Sequence, residues 1–367
     1  MKLFLLSDPN NTHTHRWVTS LAKHDVDIFL FGLNKCDLKV YEPFGNVQVY
    51  YFDYISSLND RLQNGSFEKV KYLSAIVELR KKIKEFKPDI LHAHYATSYG
   101  LLGVLSGFHP FIISVWGSDV YCFPKRSFLH SLLLRYIFSR ADKILSTSRV
   151  MANEANKYTQ QRIEITPFGV DVNLFKHKYV EKSNKEFIIG TVKTLAPIYG
   201  IDTLIKAFKI VHEQNKPKLT KLIIIGEGEQ ELELKKLVLM LELDDVVSFL
   251  GRINNSDLPD YYNYFDVSVS LSNSESFGVV AVESMACECP VVVSDAEGFT
   301  EIVENMNTGI VVPKRSPQLA ADAIQYFIDN PHARAKQGKA GRERVCELYD
   351  WSENVRSMLG IYCGILK

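Results

Sequence analysis

Short runs of apolar, largely β-branched residues recur through the first half of the chain. Continuous apolar runs of this length are typical of strands buried on both faces, as in a parallel sheet. The runs are K-L-F-L-L-S-D, D-I-F-L-F-G-L, V-Q-V-Y-Y-F-D, I-L-H-A-H-Y, F-I-I-S-V-W-G and K-I-L-S-T-S, starting at residues 2, 27, 47, 90, 111 and 143. Between two of them, Tyr72 to Phe86 has apolar residues at helical spacing, which predicts a helix.

The second half repeats this plan. Its runs are F-I-I-G-T-V-K, L-I-I-I-G-E-G, V-V-S-F-L-G-R, V-S-V-S-L-S, P-V-V-V-S-D and G-I-V-V-P. Strand–helix alternation that occurs twice predicts two doubly wound α/β domains. Proline, glycine and short polar residues mark a linker at Ile165–Phe175, and the polar patch Glu181–Glu186 follows it. We therefore expect one domain at 1–166, joined by a final helix at 350–367, and a second at 167–349.

Composition narrows the class of protein. The 367 residues include 43 basic and 43 acidic ones, so the zero net charge does not favour nucleic acid as a partner. No apolar run reaches the roughly 20 residues of a membrane span, and the polar Ser7-Asp8 after the first run favours a strand over a signal peptide. Six cysteines without a C-x-x-C pair predict reduced thiols in a cytoplasm, where the glycosylation triplet Asn64-Gly65-Ser66 has no meaning.

The segment S-E-S-F-G-V-V-A-V-E, Ser274–Glu283, places two carboxylates around a glycine and an apolar run. Gly278 opens a predicted short buried helix after a strand, and a helix start with its free N–H groups binds phosphate. Glu275 would lie beside the group that is attached to the phosphate. Glu283, inside an apolar helix, needs a partner, and the vicinal hydroxyls of a ribose would supply one. Alternatively, Glu275 is a helix-start acid and Glu283 lies on a solvated face.

The same segment resembles the E-x7-E motif of glycosyltransferase family four, whose members are retaining enzymes of the GT-B fold. The resemblance covers nearly the whole chain and is strongest from Pro167 to Pro313. Further matching stretches are P-F-G-V-D-V-N-L-F, L-I-I-I-G-E-G, F-L-G-R-I, M-A-C-E-C-P-V-V-V-S-D and E-G-F-T-E-I-V-E-N-M-N-T-G-I-V-V-P. It implies two Rossmann-like domains facing across a cleft, with a nucleotide-sugar donor on the second and an acceptor on the first.

The resemblance also assigns donor residues. Glu283 would bind the ribose, and Glu275 would hold hydroxyls of the transferred sugar. The residues implied at the diphosphate, ribose and base are Phe277, Gly278, Val279, Gly226, Gly251, Arg252 and Ile253. Lys193 would neutralise the diphosphate, or else be an ordinary strand-end lysine. The family's second basic residue, just before Gly200, is replaced by Ile198-Tyr199. Either the loop has another shape, another basic group compensates, or the enzyme is slow.

Histidines and an aromatic residue mark the first domain. The pairs His13-x-His15 and His92-x-His94 follow strands; without a third ligand at suitable spacing we reject a metal site. The resemblance implies that the His13–His15 loop and His94 bind acceptor hydroxyls or phosphate; otherwise they are strand-end residues that face solvent or are satisfied locally. In V-W-G-S-D-V, Trp116 replaces the family's histidine, whereas Asp119 remains. The resemblance therefore implies that Glu275, Lys193 and Asp119 are the catalytic residues and that Trp116 and Ser118 contact the acceptor.

Pro124–Arg140 is a predicted basic amphipathic helix. It could lie on an anionic membrane near a lipid-linked acceptor, or its leucines could belong to the core. The C-terminal D-W-S-E-N-V-R-S-M-L-G-I-Y-C-G-I-L resembles the family's last helix, which returns to the first domain.

These features predict a retaining glycosyltransferase without a metal cofactor. We expect a UDP-sugar donor and a glycan or lipid-linked sugar acceptor, as in bacterial surface polysaccharide or glycolipid synthesis. The expected location is the cytoplasm, at the inner face of the cell membrane. Two alternatives stay open: a GT-B isomerase that rearranges a UDP-sugar, and a non-catalytic partner that binds a nucleotide sugar or a glycan.

Overall fold

The computed structural model describes residues 1–52, 68–181, 186–215 and 219–367. The chain divides into two compact units, Met1–Pro167 with Asn354–Lys367, and Phe168–Glu353. Each contains a parallel sheet whose strands are connected through helices, so the predicted pair of α/β domains is confirmed. The triplet at 64–66 and the middle of the polar patch at 181–186 lie outside the described residues.

The first unit is built on a parallel sheet in the order β3-β2-β1-β4-β5-β6-β7. Its strands are β1 (Lys2–Leu6), β2 (Asp27–Gly32), β3 (Val47–Tyr51), β4 (Ile90–His94), β5 (Phe111–Val115), β6 (Lys143–Ser146) and β7 (Ile163–Ile165). Its helices are α1 (Thr12–Ala22), α2 (Glu68–Phe86), α3 (Tyr99–Ser106), α4 (Ser118–Tyr121), α5 (Phe128–Ser139) and α6 (Arg149–Ala155). Strands β1, β4 and β5 are almost completely buried, as continuous apolar runs require.

The second unit has the strand order β10-β9-β8-β11-β12-β13, again parallel. Its strands are β8 (Glu186–Val192), β9 (Leu219–Ile225), β10 (Val247–Gly251), β11 (Val267–Ser270), β12 (Val291–Ser294) and β13 (Gly309–Val312). Its helices are α7 (Ile201–Gln214), α8 (Glu231–Met240), α9 (Leu258–Tyr264), α10 (Val279–Ala286), α11 (Glu297–Ile302), α12 (Pro317–Asp329) and α13 (Pro331–Leu348). Ligands of open parallel sheets bind outside the carboxyl ends of the strands.

The last helix, α14 (Trp351–Ile365), belongs to the first unit from Asn354 onward. The hydroxyl of Tyr362 lies 2.7 Å from Nδ1 of His92 on β4, and both side chains are buried. The Asn354 side chain donates a hydrogen bond of 3.1 Å to the carbonyl of Pro167. These two polar contacts help to hold the C-terminal helix against the first unit.

All twelve predicted runs contain a strand. The sequence missed β7, because its three residues, I-E-I, are too short for a periodic pattern and lead directly into the linker. The strand nevertheless completes the sheet beside β6, with Ile144 paired to Ile163.

Candidate functional site

An open cavity of about 450 Å³ lies in the second unit, beside segments that follow β8, β9 and β10 and beside the start of α10. Six predicted donor residues line it: Lys193, Gly226, Arg252, Ile253, Val279 and Glu283. Other lining residues are Val192, Thr194, Tyr199, Ile225, Glu227, Asn255, Leu258 and Val280. Residues from separate parts of the sequence therefore meet at one place, which is the edge where parallel sheets bind ligands.

Helix α10 begins at Gly278, whose φ of 106° is in a region that residues with a Cβ rarely adopt. A Cβ built on this glycine would also lie 2.7 Å from Cδ1 of Phe299. The Gly278 carbonyl accepts the first helical bond, from the Ala281 amide at 3.0 Å. The amides of Val279 and Val280 precede that bond and have no intrahelical acceptor, so this end of α10 presents N–H groups to an anion.

The loops after β9 and β10 approach each other through their glycines. The amide of Gly226 donates a hydrogen bond of 2.8 Å to the carbonyl of Gly251. Gly226 has a φ of 135°, and a Cβ there would overlap the carbonyl oxygen of Lys193. Arg252 extends away from this contact: its side chain is exposed and lies 3.7 Å from the Glu227 carboxylate. The backbone, more than the arginine, therefore shapes this wall.

Lys193 and Glu275 form a direct ion pair. The ammonium Nζ lies 2.5 Å from Oε2 of Glu275, and each side chain is only 11% exposed. The Ser272 hydroxyl lies 3.4 Å from the same carboxylate oxygen. The Glu275 backbone is fixed as well, because its carbonyl accepts the Gly298 amide at 2.8 Å. The predicted catalytic lysine and glutamate are thus in contact although 82 positions separate them.

Tyr199 occupies the place where the resemblance predicts a basic residue. It ends a 3₁₀ turn, Pro197–Tyr199, and its ring centre lies 4.5 Å from the Lys193 ammonium. The centre of the Phe299 ring lies 5.9 Å from the same ammonium. An aromatic face attracts a cation electrostatically. Tyr199 therefore does not replace the missing charge but contacts the cation that remains.

The Glu283 carboxylate is buried and already has protein partners. Asn255 donates to Oε1 and the Tyr262 hydroxyl donates to Oε2, each at 3.1 Å. Burial, and then the neighbouring carboxylate, raises the pKa of Tyr262 well above its usual value, which keeps the phenol a neutral donor. This corrects the expectation that a ligand must supply the partner of Glu283, and its burial excludes the solvated-face alternative. Asn255 and Tyr262 therefore hold the Glu283 carboxylate in place beside the cavity that it lines.

Sequence reasoning missed Asn255, Tyr262 and the contact role of Tyr199. Tyr262 lies on α9, where an aromatic residue indicates only core packing. Asn255 follows Ile253 by two positions in the polar stretch N-N-S-D, which gave a weak signal for a loop facing a ligand. Phe277 is buried, with its ring against Phe168 and Tyr349, so only its backbone is placed near α10.

In the first unit, His13 and His15 lie on helix α1, which is capped by the Asn11 side chain through the amide of His13. The two residues are therefore on a helix and not in a loop as predicted, and residues two apart on a helix point about 200° apart. His15 contacts the Pro9 carbonyl and the Tyr41 ring. His13 lies 5.9 Å from the Trp116 ring. Burial and the nearby Arg16 lower the pKa of His13 to about 4.

His92 and His94 share a face of β4, as the spacing predicted, with ring centres 4.8 Å apart. His92 is satisfied locally by Tyr362 and by the Ser114 hydroxyl at 2.8 Å, and burial lowers its pKa to about 3. His94 packs on Trp116 at 4.4 Å, and its Nδ1 lies 3.0 Å from the Ser7 hydroxyl. Burial, and then the neighbouring histidines, lowers the pKa of His94 well below its usual value. Both rings are therefore neutral near pH 7.

Asp119 is fully buried and holds the loop around it. Its carboxylate accepts backbone amides of Ala96 at 2.9 Å, Gly117 at 2.8 Å and Trp116 at 3.3 Å. Burial raises the pKa of Asp119, while these amide bonds oppose the rise. The Asp119 carboxylate has no exposed surface and positions the Trp116 loop, so its catalytic role stays a prediction that this geometry does not favour. Ser118 is exposed at the start of α4, with its hydroxyl against that of Tyr95.

The predicted helix at 124–140 begins later than expected. Phe123–Lys125 form a 3₁₀ turn, Ser127 is extended, and α5 starts at Phe128. Leu134, Ile137 and Phe138 are buried, so part of the apolar content belongs to the core. A separate patch stays exposed, and its members are Phe128, Leu129, Leu132 and Tyr136. The core alternative is thus confirmed for the buried face of α5, and contact with a membrane stays a prediction for the exposed face.

Among the described residues, no helix is apolar over a stretch long enough to cross a membrane. The same residues contain no group of three or more histidine, cysteine, aspartate or glutamate side chains arranged to hold a metal ion.

Comparisons with known proteins agree with this geometry. The family model Glycosyl transferases group 1 matches residues 173–344, and the model Glycosyl transferase 4-like matches residues 2–148. A D-inositol 3-phosphate glycosyltransferase of Pseudarthrobacter chlorophenolicus is 28% identical over 315 residues, which cover 78% of this chain and 73% of the relative.

Two solved structures have the same fold. The sucrose-phosphate synthase of Thermosynechococcus elongatus has a TM-score of 0.84 and 21% identity, over 99% of this chain and 98% of the other. HepE of Anabaena in complex with UDP has a TM-score of 0.82 and 19% identity, over 99% and 100%. Identities this low establish the fold alone, and the predicted GT-B architecture is confirmed.

The buried neutral histidines predict an acid-sensitive fold. His13 binds a proton below pH 6.5 when unfolded but only near pH 4 when folded, so acid favours the unfolded state and stability falls as the pH drops from 6.5 toward 4. Each such group contributes a slope of about 1 kcal/mol per pH unit in that window. The free energy of unfolding, measured in urea at pH 6.5 and at pH 5, should change less between the two pH values for His13→Gln than for wild type. His24→Gln is the control, because His24 is exposed, and it should show the same pH dependence of the unfolding free energy as wild type. The same pH dependence in all three proteins would contradict the assignment.

Proposed function

Because this chain is a glycosyltransferase of the family-four type with the GT-B fold, we propose that it transfers a sugar from a UDP-sugar to an acceptor hydroxyl with retention of the anomeric configuration. One observation carries the proposal: the Lys193–Glu275 pair and Glu283 belong to one site at the amide-rich start of α10. A cation with helix amides suits a diphosphate, and the two carboxylates suit the hydroxyls attached on either side of it.

The donor fits this site in one direction. Its diphosphate lies against the amides after Gly278, at the start of α10. The ribose lies toward Glu283, whose carboxylate Asn255 and Tyr262 hold in place. The base lies along the backbone at Gly251. That UDP is the nucleotide is supported by HepE, a structural neighbour that was solved with UDP.

Donor binding exchanges the partner of Lys193. At an effective dielectric constant of 20, two unit charges about 4 Å apart interact by about 4 kcal/mol. A diphosphate carries more than one negative charge, so it competes successfully with the single charge of Glu275 for the ammonium. Glu275 is then released to accept hydrogen bonds from the transferred sugar. The Tyr199 ring, beside the ammonium, guides Lys193 through this exchange.

The transfer step needs no protein nucleophile. The bond between the anomeric carbon and the phosphate oxygen breaks, and the acceptor oxygen bonds to the same face of that carbon. The departing phosphate oxygen takes the acceptor proton, so UDP leaves as the second product. Lys193 and the α10 amides stabilise the charge that develops on the phosphate, which is the usual main contribution of a preorganised site. This assignment gives the enzyme its leaving-group stabilisation without a metal ion.

The acceptor is a growing glycan on a lipid carrier at the cytoplasmic face of a membrane, in surface polysaccharide or glycolipid synthesis. Support comes from α5, where Phe128 and Leu129 are 75% and 74% exposed. Lys125 and Arg126 precede them, and basic residues beside apolar ones favour contact with an anionic lipid surface.

The two glutamates should separate binding from chemistry. Glu283→Gln should weaken UDP affinity by about 10- to 150-fold, since it loses a charge-assisted bond of roughly 1.5–3 kcal/mol to the ribose. Glu275→Gln should reduce the transfer rate at least 100-fold with no loss of UDP affinity, because Lys193 no longer has a competing partner. Calorimetric titration with UDP and measurement of UDP release test both, with the exposed Glu229→Gln as control. Normal transfer by Glu275→Gln would contradict the proposal.

Chelation should leave turnover unchanged. Lys193 and the α10 amides supply the positive charge that a divalent ion would otherwise provide. UDP release should therefore be equal after dialysis against EDTA and after re-addition of Mg²⁺ or Mn²⁺. A rate that collapses in EDTA and returns with metal would overturn the metal-free mechanism.

The exposed patch on α5 should bind anionic vesicles. The double variant Phe128→Ser/Leu129→Ser should lose most of the vesicle-bound fraction of wild type in co-sedimentation with phosphatidylglycerol vesicles, and 0.5 M salt should weaken binding of the wild type. Leu232→Ser is the matched control, because Leu232 is equally exposed, at 74%, in the second unit. Vesicle binding that survives the double variant would exclude α5 as the contact.

A further inference from the structure

A second cavity, of about 270 Å³, lies within the first unit at the carboxyl ends of its strands. Ser7 and Asp8 follow β1, Leu33 and Asn34 follow β2, and Trp116 follows β5. The remaining lining residues are Asn11, His94, Tyr95, Ser98 and Tyr99. The sequence singled out only His94 and Trp116 of this set, so most of the cavity has no role assigned by the resemblance.

Apart from Asp8, the hydrogen-bonding groups that line the cavity are neutral. His94 is almost completely buried; its Nδ1 is used by Ser7, and no group in the described part of the chain bonds its Nε2. Burial also lowers the pKa of His94, so the ring offers a neutral nitrogen. Ser98 precedes α3 without using its hydroxyl as a cap. Neutral donors and acceptors of this kind suit the hydroxyl groups of a sugar.

Two aromatic side chains provide apolar surface beside these polar groups. The Trp116 ring rests on His94 with an interplanar angle of 33°. Tyr95 has a φ of 79°, an uncommon conformation for a residue with a Cβ. Its amide is fixed to the Ser114 carbonyl at 2.8 Å and its hydroxyl contacts Ser118. A flat aromatic face beside neutral polar groups matches a pyranose ring, which has apolar C–H faces and a polar edge.

Asp8 supplies the negative charge among the residues that line this cavity. Its carboxylate accepts the Asn34 side chain at 3.3 Å and the Asn10 amide at 3.0 Å. No lysine or arginine is among the lining residues of this cavity in the described chain. A phosphate that entered would meet a like charge, and the lining residues supply no cation to neutralise it.

We propose that this cavity receives an uncharged sugar ring of the acceptor and rejects phosphorylated sugars. The inference rests on the proposed function and specifies the acceptor class that this site takes. The Asp8 carboxylate both favours a neutral sugar, by accepting hydrogen bonds from its hydroxyls, and disfavours a phosphorylated one, by repelling the phosphate. Trp116 supplies the stacking surface. By this assignment the acceptor differs from the phosphorylated inositol after which the Pseudarthrobacter chlorophenolicus relative is named.

Binding of matched sugar pairs tests the inference. The probes are methyl glycosides of glucose, galactose, mannose and N-acetylglucosamine, each with its 6-phosphate counterpart. Saturation-transfer NMR is recorded on the full chain with UDP present. At least one neutral glycoside should bind, and its phosphate counterpart should give no signal. Trp116→Ala should abolish the signal, and Asp8→Asn should weaken neutral binding while allowing the phosphate to bind.

Asp25→Asn is the matched control, because Asp25 is exposed in the same unit and its φ of 56° suits asparagine. It should bind like wild type. Stronger binding of a phosphorylated sugar, neutral binding that survives both variants, or no signal from any probe would overturn the inference. Titration of UDP in the same samples reports the donor site independently. Normal UDP binding with the wrong sugar preference thus rejects only this inference, whereas loss of UDP binding rejects the proposed function.

Discussion

The ion pair between Lys193 and Glu275 is the interaction on which the proposed chemistry depends. It joins the end of β8 to the loop before α10, and its two members are largely removed from solvent. A buried pair of this kind adds little net stability, since the loss of hydration offsets the attraction. Its value is positional: without donor, each group holds the other at the place where the diphosphate and the transferred sugar are to bind.

Close backbone approach is the second constraint on this site. Gly226 must pass the carbonyl of Lys193, and Gly278 must pass the Phe299 ring. A side chain at either position would move the ammonium or the first turn of α10. The two glycines thus allow neighbouring segments to approach closely. The Lys193 ammonium, the α10 amides and the Glu283 carboxylate can therefore lie at one surface although they come from different segments.

The fold, and the meeting of six predicted residues at one cavity, were predictable from the sequence because the signals of strands and of the α10 start are local. Buried parallel strands have continuous apolar runs, and a glycine followed by an apolar run marked the start of α10. Contacts between distant segments were not predictable: Tyr262 and Asn255 reach Glu283 across 21 and 28 positions. Errors arose where a local pattern had two interpretations. The spacing of His13 and His15 suits an extended segment, but the Asn11 cap begins a helix there.

Asp119 shows a different limit of prediction from sequence. Its residue type indicated a chemical role, whereas its burial indicates that it positions a loop. The central claim is that donor binding transfers Lys193 from Glu275 to the diphosphate, and a crystal structure of the chain soaked with UDP tests it most directly. We expect pyrophosphate density at the amides of Gly278 and Val279, with the Lys193 ammonium bonded to a phosphate oxygen and separated from Glu275. An intact Lys193–Glu275 pair with the pyrophosphate bound elsewhere would contradict the account.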